Sequence, residues 1–131
     1  MLSLRNKRES FTLLNTPVVF FILIFITGLR IYSLQVSPIE LSVDEAQYWH
    51  WSRNIDFGYF TKPPLIAWLI GLSTFIFGNE EWAVRLFSPL IHILISLVLW
   101  TTAKFAFGSN SGRLAALIWI FTPAASLGGF I

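Results

Sequence analysis

Residues Ser42 to Leu65 read SVDEAQYWHWSRNIDFGYFTKPPL. With Glu40 just ahead of it, this stretch holds four of the chain's seven acidic residues: Glu40, Asp44, Glu45 and Asp56. It also holds seven aromatic and His side chains and a Lys-Pro-Pro. A carboxylate can take a proton, orient an acceptor hydroxyl or bind a cation. Asp44 is the first candidate. Ser42-Val43-Asp44-Glu45 has the S-x-x-E form of a capping box, with Ser42 as N-cap and Glu45 three residues on. A helix over about 43–53 is predicted to follow. Asp44 then lies in its first turn, where the dipole favours a carboxylate by roughly 0.3–1 kcal/mol and keeps it ionised. Glu45 completes the box, and adjacent helical residues point about 100° apart, so the two carboxylates cannot address one atom. Asp44, Tyr48 and Trp51 fall on one face, at i, i+4 and i+7.

Lys62 stands before Pro63 and Pro64, so its backbone is stiff and extended. A cation on such a loop suits a phosphate head group; the plainer role is an interfacial anchor. His50 reads as a hydrogen-bonded helix residue ahead of a metal ligand. His92 is expected to hydrogen-bond across helices or to mark a polar cavity. Arg30 reads as a side chain snorkelling to the interface, with a polar cavity as the alternative. Arg85 has Glu80 and Glu81 beside it and reads as interfacial ion pairing. The aromatics between Tyr48 and Trp68 could stack on a sugar or form an interfacial belt, and the belt is the commoner use.

The elements that position this loop lie in a membrane. The 131 residues are 55% hydrophobic and 12% charged, with a mean hydropathy of +0.67. Charged residues are about half as frequent as the roughly 25% of a soluble domain. A net charge of +2, unevenly placed, gives no case for nucleic acid, and zero Cys excludes disulfides and thiolate metal sites. Four runs carry no charge: Ser10–Leu29, Pro63–Asn79, Leu86–Ala103 and Leu114–Ile131. A spanning helix needs about 20 mostly apolar residues. Gly78-Asn79 is a turn signal and shortens the second run to Pro63–Phe77.

Three spans put five Lys and Arg residues inside (Arg5, Lys7, Arg8, Lys104 and Arg113) and three outside (Arg53, Lys62 and Arg85). Four spans divide them evenly, so the positive-inside tendency favours three. The predicted fold is an all-α integral membrane protein with three transmembrane helices and outer-face juxtamembrane helices at about 43–53 and 63–77. Residues 1–9 form a cytoplasmic tail and 35–82 an outer loop. The first span runs to about Leu34, with Pro17 near its start. The second covers Trp82 to Ala103. A tight inner turn follows at Gly108–Gly112, and the third span, Leu114–Ile131, bends at Pro123. The N-terminus reads as an uncleaved signal anchor, since the apolar run is too long for a cleaved one. The chain is expected to be one membrane domain, the N-terminal part of a larger protein, because it stops within an apolar segment.

D-E-A-x-Y at Asp44–Tyr48 and G-Y-F-x-K-P-P-L at Gly58–Leu65, at this separation after the first span, resemble the polyprenyl-phosphate-sugar-dependent membrane glycosyltransferases. These are the bacterial relatives of the protein O-mannosyltransferases and include the aminoarabinose transferases that modify lipid A. The resemblance covers about residues 10–131. It implies that Asp44 is the catalytic carboxylate that activates an acceptor hydroxyl. It implies that Lys62 contacts the lipid-linked phosphate leaving group, with Glu45, Tyr48 and Tyr59 as further substrate-binding residues. It implies a lipid-linked sugar donor, a lipid or protein acceptor and a multi-pass location in the plasma membrane with the N-terminus cytoplasmic. No cofactor is assigned. A divalent cation is left open, although members that bind a metal here carry a carboxylate where this chain has Thr61. Such enzymes have many more helices, which another chain could supply. The competing reading is a small non-catalytic membrane protein, or a truncated remnant, that binds polyprenyl phosphate or a partner membrane protein. It predicts no transfer from any lipid-linked sugar.

Overall fold

A computed structural model describes residues 15–60 and 62–122. Among them the chain is helical throughout: α1 Thr16–Val36, α2 Val43–Ser52, α3 Leu65–Phe77, α4 Glu81–Arg85, α5 Phe87–Phe107 and α6 Ser109–Phe121. The protein is an all-α membrane protein. Among the described residues two stretches are long and apolar enough to cross a bilayer, the 21 residues of α1 and the 27 residues of Glu81–Phe107. Large apolar side chains stand outward along them, among them Phe21, Ile24, Phe25, Leu94 and Val98. Hydroxyls on these helices turn back onto their own backbone, as with Thr27 to the Leu23 carbonyl and Ser96 to the His92 carbonyl. Such back-bonding keeps a hydroxyl satisfied where no water competes.

α1 begins as the sequence predicts, with Pro17 in its first turn. It packs against α5 and α6 around Val19, Leu23, Trp100, Ala116 and Ile120. Phe20 lies 4.6 Å from the Trp100 ring. Arg113 of α6 reaches Thr16, so the start of α6 sits beside the start of α1. Near the other end of α1, Arg30 donates to the Ile120 carbonyl at 2.7 Å. That carbonyl is in the last turn of α6, where no backbone N–H of the helix follows to meet it. Arg30 is 6% exposed, so it does not snorkel. It ties two helices together from inside.

The turn expected at Gly108–Gly112 is shorter than predicted. Gly108 alone makes it, with φ of 94°, a conformation that suits a residue without Cβ. Ser109–Gly112 are already helix. Gly112 serves close packing: a Cβ there would lie 2.7 Å from the Trp100 carbonyl oxygen. The part of the third predicted span beyond Thr122, with Pro123, lies outside the described residues, as does the basic tail.

Between the end of α1 and the start of α5 lie α2, α3 and α4. The capping box is formed: Glu45 N–H donates to Ser42 Oγ at 3.3 Å, and Ser42 N–H to Glu45 Oε2 at 2.7 Å. α3 has 13 residues, about 20 Å of helix at 1.5 Å per residue. That is short of a hydrocarbon core of about 30 Å. It packs on α2 and α4 instead. α4 and α5 run on from one another, and Leu86 between them keeps helical angles. The hydrogen-bond ladder breaks because Pro89 has no N–H to give to the Arg85 carbonyl four residues back.

Candidate functional site

A cavity of 390 Å³ opens where α2, α3 and the α4–α5 junction meet. Asp44, Glu45 and Tyr48 line it from α2, Ile66, Leu69 and Ile70 from α3, and Arg85, Ile91 and His92 from α4 and α5. Its polar groups come from the start of α2 and from Arg85, Ser88 and His92 of α4 and α5, and the rest of its walls are apolar.

The capping box explains why the two carboxylates diverge. Ser42 and Glu45 lock the first turn, and the helical rotation turns Asp44 away from Glu45. Asp44 pairs with Lys62, Nζ to Oδ1 at 3.0 Å, and its side chain is 71% exposed. Lys62 also lies over the Tyr48 ring, 4.9 Å from its centroid. The structure thus brings Asp44, Tyr48 and Lys62 together from 18 residues of sequence separation; Asp44 and Tyr48 line the cavity, and Lys62 meets them from outside its lining. The hydrogen bond from Lys62 to Asp44, then their charge attraction and the interaction with the Tyr48 hydroxyl, raise the Lys62 amine above the ordinary lysine value in spite of some desolvation.

Glu45 has a different neighbourhood. Its Oε1 accepts from Arg85 Nε at 2.6 Å and its Oε2 from the Arg85 NH2 group at 2.8 Å. The side chains are 14% and 6% exposed. Burial by itself pushes the Glu45 carboxyl up, but the Arg85 and Ser42 hydrogen bonds and the guanidinium charge outweigh it and hold the carboxyl below the ordinary glutamate value. The same guanidinium donates to the Ile39 and Glu40 carbonyls, both at 2.9 Å. Pairing of Arg85 with Glu80 and Glu81 was the sequence expectation; its hydrogen bonds run instead to Glu45 and the α1–α2 connector. A buried guanidinium must satisfy its N–H groups, and an exposed neighbour one turn back, such as Glu81, supplies only a weak pair.

Tyr59 is placed away from the cavity lining. Its hydroxyl donates to the Trp51 and Asn54 carbonyls, at 3.0 and 2.9 Å, and accepts from Asp56 N–H at 3.2 Å. Its ring stacks on Trp51 at 5.0 Å. These contacts fold the 54–60 loop onto α2. Trp68 Nε1 donates to the Asp56 carbonyl, and Trp49 and Arg53 both reach Asn79. Much of the aromatic stretch therefore holds the loop together. His50 is exposed and lies off the cavity. Among the described residues no three His, Asp or Glu side chains gather as a metal site. His92 meets the Trp119 ring at 5.8 Å across α5 and α6, and its Nδ1 is buried with no hydrogen-bond partner among the described residues. The expected hydrogen bond across helices is thus a ring contact. Arg85 was not identified from sequence as part of this site, whereas the cavity reading of His92 agrees with its place in the lining. An Arg at the very start of an apolar run was the available signal for Arg85.

Comparison with known proteins adds to this geometry. A family model described as dolichyl-phosphate-mannose-protein mannosyltransferase matches residues 61–131. The lipid A galacturonosyltransferase RgtD of Rhizobium johnstonii is 41% identical over 99 residues, which is 75% of this chain and 21% of that protein. "Putative mannosyltransferase YycA" of Bacillus subtilis is 33% identical over 64 residues, 49% of this chain and 9% of that protein. The chain thus spans about a fifth or less of the length of these relatives. No solved structure matches it.

Proposed function

We propose, for a chain that belongs to the dolichyl-phosphate-mannose-protein mannosyltransferase family, that it carries the acceptor-activating end of a membrane glycosyltransferase. The observation that carries this reading is the Asp44–Lys62 pair at the mouth of a cavity with apolar walls. A polyprenyl phosphate sugar has a long apolar chain, an anionic phosphate and an electrophilic anomeric carbon. The apolar walls suit the chain, and Lys62 suits the phosphate as a mobile point charge. The acceptor hydroxyl oxygen bonds to the anomeric carbon while the bond from that carbon to the phosphate oxygen breaks. The hydroxyl proton passes to Asp44. The electron pair leaves with the polyprenyl phosphate, whose added charge Lys62 offsets.

A lipid-linked sugar arriving at Lys62 replaces Asp44 as the partner of the amine. The carboxylate is then free to meet the acceptor. Tyr48 belongs to the same group, because its ring holds the Lys62 amine. Glu45 sits at the cavity edge, and its role here is through the start of α2. Tyr59 supports the loop that carries Lys62. The site faces the outer side of the plasma membrane, with the N-terminus in the cytoplasm and the chain crossing more than once. Similarity to a lipid A galacturonosyltransferase supports a lipid acceptor and a uronic acid among the donors worth testing.

The test is transfer by the complete protein in lipid nanodiscs, with undecaprenyl-phosphate-linked sugars and lipid A as substrates. Asp44→Asn is expected to lower transfer by about 10²- to 10⁴-fold while donor binding persists, and Lys62→Ala to weaken donor binding. Full transfer by Asp44→Asn would end this reading.

A further inference from the structure

We propose that Arg85 positions the carboxylate of Asp44 by clamping the start of α2 to α4, an inference that rests on the reading of Asp44 as the acceptor-activating group. Arg85 commits four hydrogen bonds in one direction: two to the Glu45 carboxylate and one each to the Ile39 and Glu40 carbonyls. Four of the guanidinium's five N–H donors are thereby used. The acceptors all belong to one seven-residue stretch, 39–45, that ends in the first turn of α2. Glu45 is the residue next to Asp44. Its Oε2 also accepts from Ser42 N–H, so the clamp and the capping box share one carboxylate.

Asp44 has no such support of its own. It is exposed and meets Lys62 on a loop. The connector between Val36 and Val43 has no helical hydrogen bonds to fix it, and α2 is only 10 residues long. The capping box sets the first turn of α2 and α3 packs along the helix; what ties the end carrying Asp44 to the spanning helix is its neighbour's bond to Arg85 of α4, which runs on into α5. A planar fork with fixed donor directions can hold a carboxylate and two carbonyls at once. Lysine, a point charge on a flexible stem, cannot.

The experiment reads the Asp44–Lys62 approach directly. A water-soluble carbodiimide joins a carboxylate to an amine with loss of water only when the two are in contact, as these are at 3.0 Å. The linked peptides are quantified by mass spectrometry in the complete protein in nanodiscs. The wild-type chain is expected to give the Asp44–Lys62 link. Arg85→Ala should reduce it at least fivefold and Arg85→Lys by less. Arg53→Ala, which removes the guanidinium bond to Asn79 at the other end of α2, should leave it within twofold. In transfer assays with undecaprenyl-phosphate-linked sugar, Arg85→Ala should lower kcat on the order of 10- to 100-fold with donor KM within twofold, and Arg85→Lys should recover part of kcat. If Arg85→Ala does not fold, Glu45→Gln keeps the size and the capping partner while removing the charge, and the same loss of link is expected. An unchanged link in a folded Arg85→Ala or Glu45→Gln chain overturns the proposal. Loss of transfer in Asp44→Asn with full transfer in Arg85→Ala also overturns it, and leaves the reading of Asp44 standing. Full transfer in Asp44→Asn removes the reading of Asp44, and the positioning proposal with it.

Discussion

Asp44 and Glu45 are neighbours in sequence and opposites in setting. Asp44 is 71% exposed and holds one cation in direct contact at the surface, whereas Glu45 is 14% exposed and is gripped by a guanidinium that is itself buried. The difference comes from one peptide unit of helical rotation. It teaches that two carboxylates in one motif divide the work. An exposed ion pair contributes little to folding, because water solvates both partners nearly as well. It can be opened by a ligand for the same reason. A buried pair costs much to desolvate and cannot lose one partner without leaving the other charge stranded. Asp44 is thus free to exchange partners and Glu45 is not.

That contrast can be broken most sharply at Asp44. Asp44→Asn should lower transfer by about 10²- to 10⁴-fold, the range of a positioned proton acceptor, and leave the unfolding temperature within a degree or two. Glu45→Ala should do the reverse in stability. Removing one partner of a buried pair costs about 3–5 kcal/mol, read as a lowered midpoint in thermal unfolding followed by circular dichroism. If the two substitutions destabilised equally, the division of roles would fail. Ser42→Ala tests what the residues share. Losing the N-cap hydroxyl should cost about 1 kcal/mol and should also reduce transfer, because both carboxylates hang from that first turn.

Acid sharpens the comparison further. The Glu45 carboxyl lies below the ordinary glutamate value in the folded protein. Its stabilisation is therefore complete above about pH 4.3, the unfolded value, and is lost as pH falls through the lower folded value. Unfolding temperature measured against pH should show that acid limb in the wild-type chain and lack it in Glu45→Ala. Lys62 has the opposite sign. Its amine is raised, so its pair is complete below about pH 10.4 and is lost as pH rises through the higher folded value. The smallest effect expected is that of salt. Raising ionic strength from about 0.01 to 1 M shortens the screening length from about 30 to 3 Å. The carbodiimide link between Asp44 and Lys62 should weaken modestly, while the stability contributed by Glu45 and Arg85 stays nearly constant.

Local chemistry made a good part of the site legible. Ser42 and Glu45 stand three apart ahead of a helix, and that spacing alone forms the capping box. Pro63 and Pro64 announce the start of α3, and Gly78 its end at a φ of 88°. The apolar runs mark α1 and Glu81–Phe107, since a bilayer requires length and apolarity that few other settings do. The two motifs placed Asp44 and Lys62 in one loop; their pairing at 3.0 Å is a result of the fold. Within the aromatic stretch, Tyr59, Trp68 and Trp49 each give a polar atom to a hydrogen bond that the fold supplies, while Phe57 and Phe60 stand exposed.

Sequence by itself determined the membrane class, the helical elements and the two carboxylates at the start of α2, because each of these depends on contacts within about one helical turn or on total apolar length. Only the tertiary structure decided which groups meet. Arg85 lies four residues from Glu81 yet bonds to Glu45, 40 residues away. Arg30 caps α6 through Ile120, 90 residues away. Gly112 closes on Trp100 and does not turn the chain. In each case a buried group takes whichever partner the packing brings to it, because an unsatisfied donor or a displaced backbone costs more than any preference written into neighbouring residues.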